Sequence, residues 1–569
     1  MINKESLQIT PYQTLLDNIK NMVINPAENN RDQLFGDIDY LFSCIPPNEE
    51  PYINNLQGNY DFLKDFQHID DNPRDKKQIL QAVAQTFNGA IKFQHPHVLH
   101  NIIPTPLVAG VAAATLSNLY NLNAIWDKLS AGAQAMEIQV GEQLATMAGW
   151  VVPKEIKKNN PGGISTIGGK ACILYAIKIG LNRCIKNASL TGLSQLPKAP
   201  LVITSKGNHL CIDSVCALLG IGSKNCWRCE VNEDETINLS SFESLLRQAL
   251  TEGYPIACII LSGGNTSHLT PDDAVVIKEC VSKLEQEYNL DYSPYIYFDS
   301  CISWPWLFFA SYNFADNPLE LPLSSLKLIQ KATMRISSIK YADGFGVDFH
   351  KTGLSSYSSS FFVTKNMAEL HGIVNPDFSL VERNKYGGNA YFNFTLEHSR
   401  SASSIFYAWV ALQSLGINGF RAYLAHLTYV GLKFREGLKD SMEVVNDFSL
   451  APGSLFFPKS PNTSLNYKAL KKASENAIEN ANDYTYNLFN YLQDKKLNGK
   501  ASFSFRYIPQ YGKAENGKNI AVIVIYPMSL FFTEEILKVT LSKIKEIKID
   551  FDSKEILEKT NDKPMYVMR

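Results

Sequence analysis

Tyr341-Ala-Asp-Gly-Phe-Gly-Val-Asp-Phe-His-Lys-Thr-Gly353 is a short apolar strand that ends in His350-Lys351 and runs on through Thr-Gly into a Ser/Tyr segment. A lysine delivered at a strand end, beside a histidine and a partly buried aromatic, can be tuned to lose its proton. The neutral amine can then condense with an aldehyde. Most lysines are solvated surface groups, so the dipeptide gains its weight from three further segments that match in order and spacing.

Outward from this stretch the pattern is regular. Between 160 and 365, short β-rich runs such as 200–205, 256–262 and 295–299 alternate with helical stretches. That alternation predicts a central, mainly parallel α/β sheet. Residues 105–150 carry helical periodicity that ends at Gly149-Trp150, and residues 1–60 are polar with amphipathic patches at 12–23 and 35–42. Residues 367–400 form a polar segment with glycine and asparagine, a candidate lid. Residues 401–445 return to helix, and the rest alternates helix and strand, including 501–507 and 521–526. The expected organisation is an N-terminal helical arm over 1–104, a large cofactor-binding domain over 105–410 and a small α+β C-terminal domain over 411–569. No internal repeat or low-complexity tract interrupts it.

Composition excludes several classes. The 569 residues are 45% hydrophobic and 19% charged, enough chain for a large core. A formal net charge of -2 gives no electrostatic case for nucleic acid or an anionic membrane. The first residues lack the apolar core of a signal peptide, and the longest apolar runs, 106–116 and 520–532, are too short to span a bilayer. Ten cysteines without disulfide-like spacing read as reduced thiols. The expectation is a cytoplasmic enzyme acting on a small molecule.

The first supporting segment is Pro161-Gly-Gly-Ile-Ser-Thr-Ile-Gly-Gly-Lys-Ala, followed directly by an amphipathic helix. Glycines let the backbone approach an anion, and a helix start offers unpaired N–H groups, so a phosphate would sit at Gly168, Gly169 and Lys170. It is not a nucleotide P-loop. Ile164 breaks the frame, and Ala171 replaces the residue that would hold magnesium. The second segment, Ile203-Thr-Ser-Lys-Gly-Asn-His209, follows a strand and places a histidine to lie against a planar ring. The third, Tyr295-Ile-Tyr-Phe-Asp299, ends a buried-type strand in a carboxylate at the usual ligand crevice of an open α/β sheet. Taken singly, a Gly-rich turn, a structural histidine and a helix-capping aspartate explain them as well.

Taken together, Gly168-Gly-Lys-Ala171, His209, Gly264-Asn-Thr266 with Asp272, Phe298-Asp299 and His350-Lys351 resemble the group II pyridoxal-phosphate-dependent amino-acid decarboxylases, which act on glutamate, tyrosine and aromatic amino acids. The resemblance covers roughly residues 90–445. His95-Pro96 to Pro106 and Met136-Glu137 look like the family's substrate-side and dimer-side regions. His350-Lys351-Thr-Gly-Leu-Ser-Ser-Tyr357 looks closest to the bacterial tyrosine-decarboxylase pattern. The resemblance implies the fold-type I architecture of aspartate aminotransferase, a homodimer with shared active sites, and pyridoxal 5'-phosphate as cofactor. It also implies roles. Lys351 forms the Schiff base, with His350 beside it, and His209 stacks on the ring. Asp299 pairs with the ring nitrogen, Gly168, Gly169 and Lys170 cradle the phosphate, and Thr266 lies near the ring hydroxyl or the substrate carboxylate. The implied reaction is decarboxylation of an L-amino acid to the amine and CO2.

Three departures matter. The family often has Ser or Thr at the place of Lys170, and Asp-Ala-Ala where this chain has Asp299-Ser-Cys301. The family's mobile lid tyrosine aligns with Phe378, which cannot donate a proton; Tyr386 and Tyr391 lie further along the same segment. A Tyr-to-Phe change in this family accompanies decarboxylation coupled to oxidative deamination, giving an aldehyde. The same motifs would also suit a non-catalytic relative or a carbon–carbon lyase of the same superfamily. Two patterns carry little weight. Cys226-Trp-Arg-Cys229 lies in an expected strand, not at a helix start. His95, His97 and His100 do not share a helical face, so substrate contact is favoured over a metal, and no metal site is expected. Phe93, Trp304 and Trp306 fit an aromatic substrate and a packed core equally well.

Overall fold

Leu201–Ser205, Ile256–Ser262 and Tyr295–Asp299 are almost continuously apolar, which suits strands covered on both faces. In the computed structural model every residue of these three runs is buried, and they are the middle of one sheet. The structure describes residues 11–23, 31–45, 50–53, 60–125, 127–130, 132–154, 159–194, 196–374, 391–461, 465–497 and 503–554. Two compact units make up the chain, Met1–Lys92 and Phe93–Arg569.

The first unit is helical where the amphipathic patches predicted it, over Pro11–Met22 and Arg31–Ser43, with a further helix at Lys76–Gln85. Asp75 caps the last of these by accepting the N–H groups of Lys77 and Gln78 at 2.9 and 3.1 Å.

The second unit holds two sheets. The larger has seven strands: β1 Gly162–Thr166, β2 Leu201–Ser205, β3 Cys226–Cys229, β4 Ile256–Ser262, β5 Tyr295–Asp299, β6 Gly344–Asp348 and β7 Ser360–Thr364. Their order is β1-β7-β6-β5-β4-β2-β3, and β7 runs against both its neighbours. The β4–β5–β6 pairs are parallel and in register, with Ser262 opposite Asp299 and Asp299 opposite Gly346. Their carboxyl ends therefore lie side by side. Gly344 and Gly346 are needed in β6 because a Cβ on either would drive into the hydroxyl of Tyr295 or Tyr297 on β5. Helix Gly169–Cys184 and helix Ala133–Met147 bury one face each on this sheet.

The smaller sheet is antiparallel: β8 Met442–Val444, β9 Ser454–Pro458, β10 Arg506–Lys513 and β11 Asn519–Ile525, in the order β10-β11-β9-β8. It differs from the sequence expectation at one end. The strand expected over 501–507 starts at Arg506, because Ser504 exchanges backbone hydrogen bonds with the stretch His97 to Leu99. The helical run Ser403–Leu438, broken at Gly416, packs on helix Leu323–Ile336 at one end and on helix Glu534–Ser553 at the other.

Candidate active site

Helix Gly169–Cys184 begins at the carboxyl edge of the large sheet. Gly168 has φ +150°, and a Cβ there would meet nothing within 4 Å. A Cβ on Gly169 would lie 2.5 Å from Cys301 Sγ and 3.2 Å from Asp348 Oδ2, so only the bare backbone fits against this floor. A turn open on one side, followed by a sixteen-residue helix with unpaired N–H groups at its start, is suited to a phosphate. Lys170 is exposed in the first turn.

Lys351 sits in the one-turn helix Phe349–Thr352 that follows β6. Its side chain is 31% exposed, and Nζ is 2.8 Å from Oδ2 of Asp348, which is 1% exposed. Burial alone would lower the lysine's pKa. Asp348, then Cys301 and Asp299, outweigh that, and the ammonium is held well above its usual range. The same partnership depresses Asp348: burial pushes its carboxyl up, and Lys351, His350 and the Ser360 hydroxyl pull it down further. His350 is buried. Its Nδ1 lies 3.0 Å from Ser359 O, its Nε2 lies 3.7 Å from Asp348 Oδ2, and its ring packs on Tyr357 at 4.5 Å between centroids.

Asp299 ends β5 with its side chain buried, accepting a hydrogen bond from Cys301 N–H at 3.5 Å. Burial raises its pKa; Lys351, Cys301 and His209 oppose that. His209 stands in the loop after β2. Its Nδ1 accepts Cys211 N–H at 3.1 Å, which leaves Nε2 to carry the proton in the neutral ring. Burial lowers its pKa, Asp299 opposes, and Lys351 lowers it further. Thr266 is half-buried in the loop after β4, and Asn265 ties that loop to the His209 loop by donating Nδ2–H to Gly207 O at 2.7 Å.

The structure thus gathers Lys351, His350, Asp299, His209, Gly168 and Gly169 at one sheet edge, with Lys170 and Thr266 on its flanking elements. Two residues of the site escape a reading of the sequence. Asp348 stands three positions before Lys351 and is the lysine's direct partner. Arg228 lies inside the Cys226–Cys229 strand. Its guanidinium donates to Ser205 O, Asn208 O and His209 O and pairs with Asp213 at 2.7 Å, so it fixes the backbone that carries His209. Three donors on one strand side chain give no sequence signal beyond an arginine in an otherwise apolar run.

Phe378 and Tyr386 lie outside the described residues. Tyr391 is 1% exposed and packs on Phe394, with centroids 5.1 Å apart. Trp304 and Trp306 belong to the core, and Trp304 Nε1–H donates to Asp348 O at 3.3 Å. His97 packs on Phe503, and His100 Nδ1 lies 3.1 Å from Phe505 O. Among the described residues no three His, Cys, Asp or Glu side chains are grouped to hold a metal. Among them, too, no helix is long and apolar enough to cross a membrane.

Comparison with known proteins bears on the family and the fold. The pyridoxal-dependent decarboxylase conserved domain matches residues 62–291, ending before Asp299 and Lys351. L-2,4-diaminobutyrate decarboxylase of Acinetobacter baumannii is 23% identical over 306 residues, covering 51% of this chain and 53% of its own. The aligned region thus spans about half the length of that relative. The crystal structure of Catharanthus roseus tryptophan decarboxylase superimposes with a TM-score of 0.68 at 15% identity, over 92% of this chain and 99% of its own. Rhodiola rosea 4-hydroxyphenylacetaldehyde synthase does so with a TM-score of 0.68 at 14% identity, over 93% and 99%.

Proposed function

We propose that this chain is a member of the pyridoxal-dependent decarboxylase family that removes the α-carboxylate of an L-amino acid as CO2 and releases the amine. The observation that carries the reading is the convergence of Lys351, Asp299 and the Gly168-Gly169 helix start at the carboxyl edge of one sheet. Pyridoxal 5'-phosphate, when bound, supplies an aldehyde for an amine and a pyridine ring that accepts the electron pair left when CO2 departs.

The chain's own groups divide the remaining work. The open turn at Gly168 and the first N–H groups of the helix bind the phosphate, with the Lys170 ammonium near. Lys351 provides the amine that anchors the cofactor. Asp299, buried at the end of β5 beside Lys351 and His209, would pair with the pyridine nitrogen, hold a proton there and so strengthen the ring as an electron acceptor. His209 covers one ring face and keeps water off it, on a loop made rigid by Arg228 and Asn265. The substrate-side region His95–His100 and the 367–400 segment are proposed to complete the site across a homodimer.

A second reading rests on Phe378 at the lid position. Without a phenol, the carbanionic carbon lacks its proton donor and can react with oxygen, giving aldehyde, ammonia and peroxide. The fold does not separate the two outcomes, because both a tryptophan decarboxylase and an aldehyde synthase superimpose on it. One assay does. The purified protein, loaded with pyridoxal phosphate, is offered the amino acids singly under air, and CO2, amine, ammonia and aldehyde are measured. CO2 with equimolar amine is expected. Aldehyde with ammonia would establish the second reading, and no CO2 from any amino acid would defeat both.

A further inference from the structure

We propose that Asp348 is the fixed counter-ion of the Lys351 nitrogen, balancing its positive charge both before and after the cofactor is linked to it. The inference rests on the reading of Lys351 as the cofactor-linking lysine.

The carboxylate is pinned from every side. Oδ2 lies 2.8 Å from Lys351 Nζ, and the other oxygen accepts the Ser360 hydroxyl at 2.5 Å. Its backbone N–H donates to Cys301 O at 3.3 Å, and its carbonyl accepts Trp304 Nε1–H at 3.3 Å. Residues three apart share a face of the one-turn helix, so the aspartate at the end of β6 and the lysine within the turn meet without strain. Asp348 Oδ2 also lies 3.2 Å from where a Gly169 Cβ would stand. The pair thus occupies the ground between the helix start and the cleft.

Several groups act on the lysine nitrogen. Asp299 and Cys301 come from the end of β5, His350 from the same turn as Lys351, Tyr357 from the segment after it, His209 from the loop after β2 and Tyr526 from the end of β11. Asp348 is the carboxylate within hydrogen-bond reach. Burial would strip the proton from Lys351; the surrounding anionic groups, Asp348 first, keep it on.

Linkage conserves that charge. The proton that the ammonium sheds would return to the same nitrogen once a C=N bond had replaced the aldehyde's C=O bond, and one water would leave. When the C=N nitrogen is protonated, the charge equals that of the starting ammonium. Asp348 therefore faces one positive charge at both ends of the step and need not move or titrate. Replacing it by a neutral isostere should weaken the proton's hold on the nitrogen in both states.

Two titrations test this. In cofactor-free protein, acylation of Lys351 by a neutral reagent is followed against pH by peptide mapping. In cofactor-loaded protein, the absorbance change of the yellow chromophore is followed against pH. Asp348→Asn should move both midpoints down by about one to three pH units, the effect of losing an opposite charge at contact. Ser360→Ala, which loosens the carboxylate without removing its charge, should move them far less than Asp348→Asn does. Asp348→Glu should keep them close to wild type, and it also serves if Asp348→Asn does not fold. Unmoved midpoints in folded Asp348→Asn, or an equal shift in Asp348→Glu, would overturn the proposal. Should wild type take up no cofactor, the functional reading falls, and the cofactor-free titration still decides the role of Asp348.

Discussion

Lys351 and Lys548 are each paired with an aspartate within one helical turn, yet their surroundings differ in kind. Lys548, in helix Glu534–Ser553, is 4% exposed. Its Nζ donates to Asp552 Oδ2 at 2.7 Å and to Tyr484 OH at 2.9 Å, while the same hydroxyl donates to Asp552 Oδ1 at 2.5 Å. The three groups close a triangle, roofed by Phe551 at 5.4 Å from the Tyr484 ring. Lys351 has one partner in contact, a cleft on its open side, and a second carboxylate and a thiol within electrostatic range. A buried charge closed in by two fixed hydrogen-bond partners is a structural element. One held in an open-sided pocket by a single contacting carboxylate keeps a side free for a ligand.

Replacing each lysine in turn tests that contrast most strongly. Lys351→Ala should abolish covalent attachment of the cofactor, read as loss of borohydride-fixed label on that peptide, and abolish turnover, besides costing the stability lost when the buried Asp348 carboxylate is left without its cation. Lys548→Met should cost stability alone. Breaking a buried pair by removing one partner costs about 3–5 kcal/mol, visible in denaturant unfolding, while the folded fraction keeps its cofactor and its activity. If Lys548→Met lost the chromophore as well, the two lysines would not be separable roles.

Asp299 sharpens the comparison on the open side. Asp299→Asn removes the charge but keeps the shape at the end of β5. It should preserve fold and cofactor attachment and lower turnover by roughly 10²-fold or more, the usual cost of losing a principal electrostatic contact. Near-normal turnover would remove Asp299 from the mechanism.

Much of the open site could be read from the chain because its residues sit at abrupt changes of pattern. Asp299 ends an apolar strand, Lys351 and His209 each follow one closely, and Gly168-Gly169 stand at the start of a helix. Asp348 stands in the same strand as the run into Lys351 but reads as one more strand residue, since its importance lies in the turn that brings it under the lysine. Arg228 is hidden by its flanking cysteines, which suggest sulfur chemistry, whereas its three carbonyl partners come from the end of the neighbouring strand β2 and the loop after it. The Lys548 triangle could not be read at all: Tyr484 is 64 residues away, and Lys-x-x-x-Asp on a helix is otherwise an ordinary surface pair. The small sheet was half legible. β11 carries a clear apolar pattern, but Arg506–Lys513 does not, and 503–505 is taken by pairing with 97–99, a choice set by tertiary contact.

The smallest expected effect comes from making the sealed lysine resemble the open one. Tyr484→Phe deletes one hydroxyl and leaves Lys548 with Asp552 as its partner, the same one-to-one pairing that Lys351 has with Asp348. The hydroxyl both accepts from Lys548 and donates to Asp552, so its loss leaves one buried ammonium hydrogen unmet and removes one donor from the part-buried carboxylate. That should cost about 1–3 kcal/mol, less than removing the lysine itself, because the ion pair survives. Chromophore and turnover should be untouched, since the triangle belongs to the packing of helix Glu475–Leu497 on helix Glu534–Ser553. A variant as stable as wild type in denaturant would mean that water reaches Lys548. The lysine would then be an ordinary half-solvated pair, and the contrast with Lys351 would have to rest on Asp348, Asp299 and Cys301 alone.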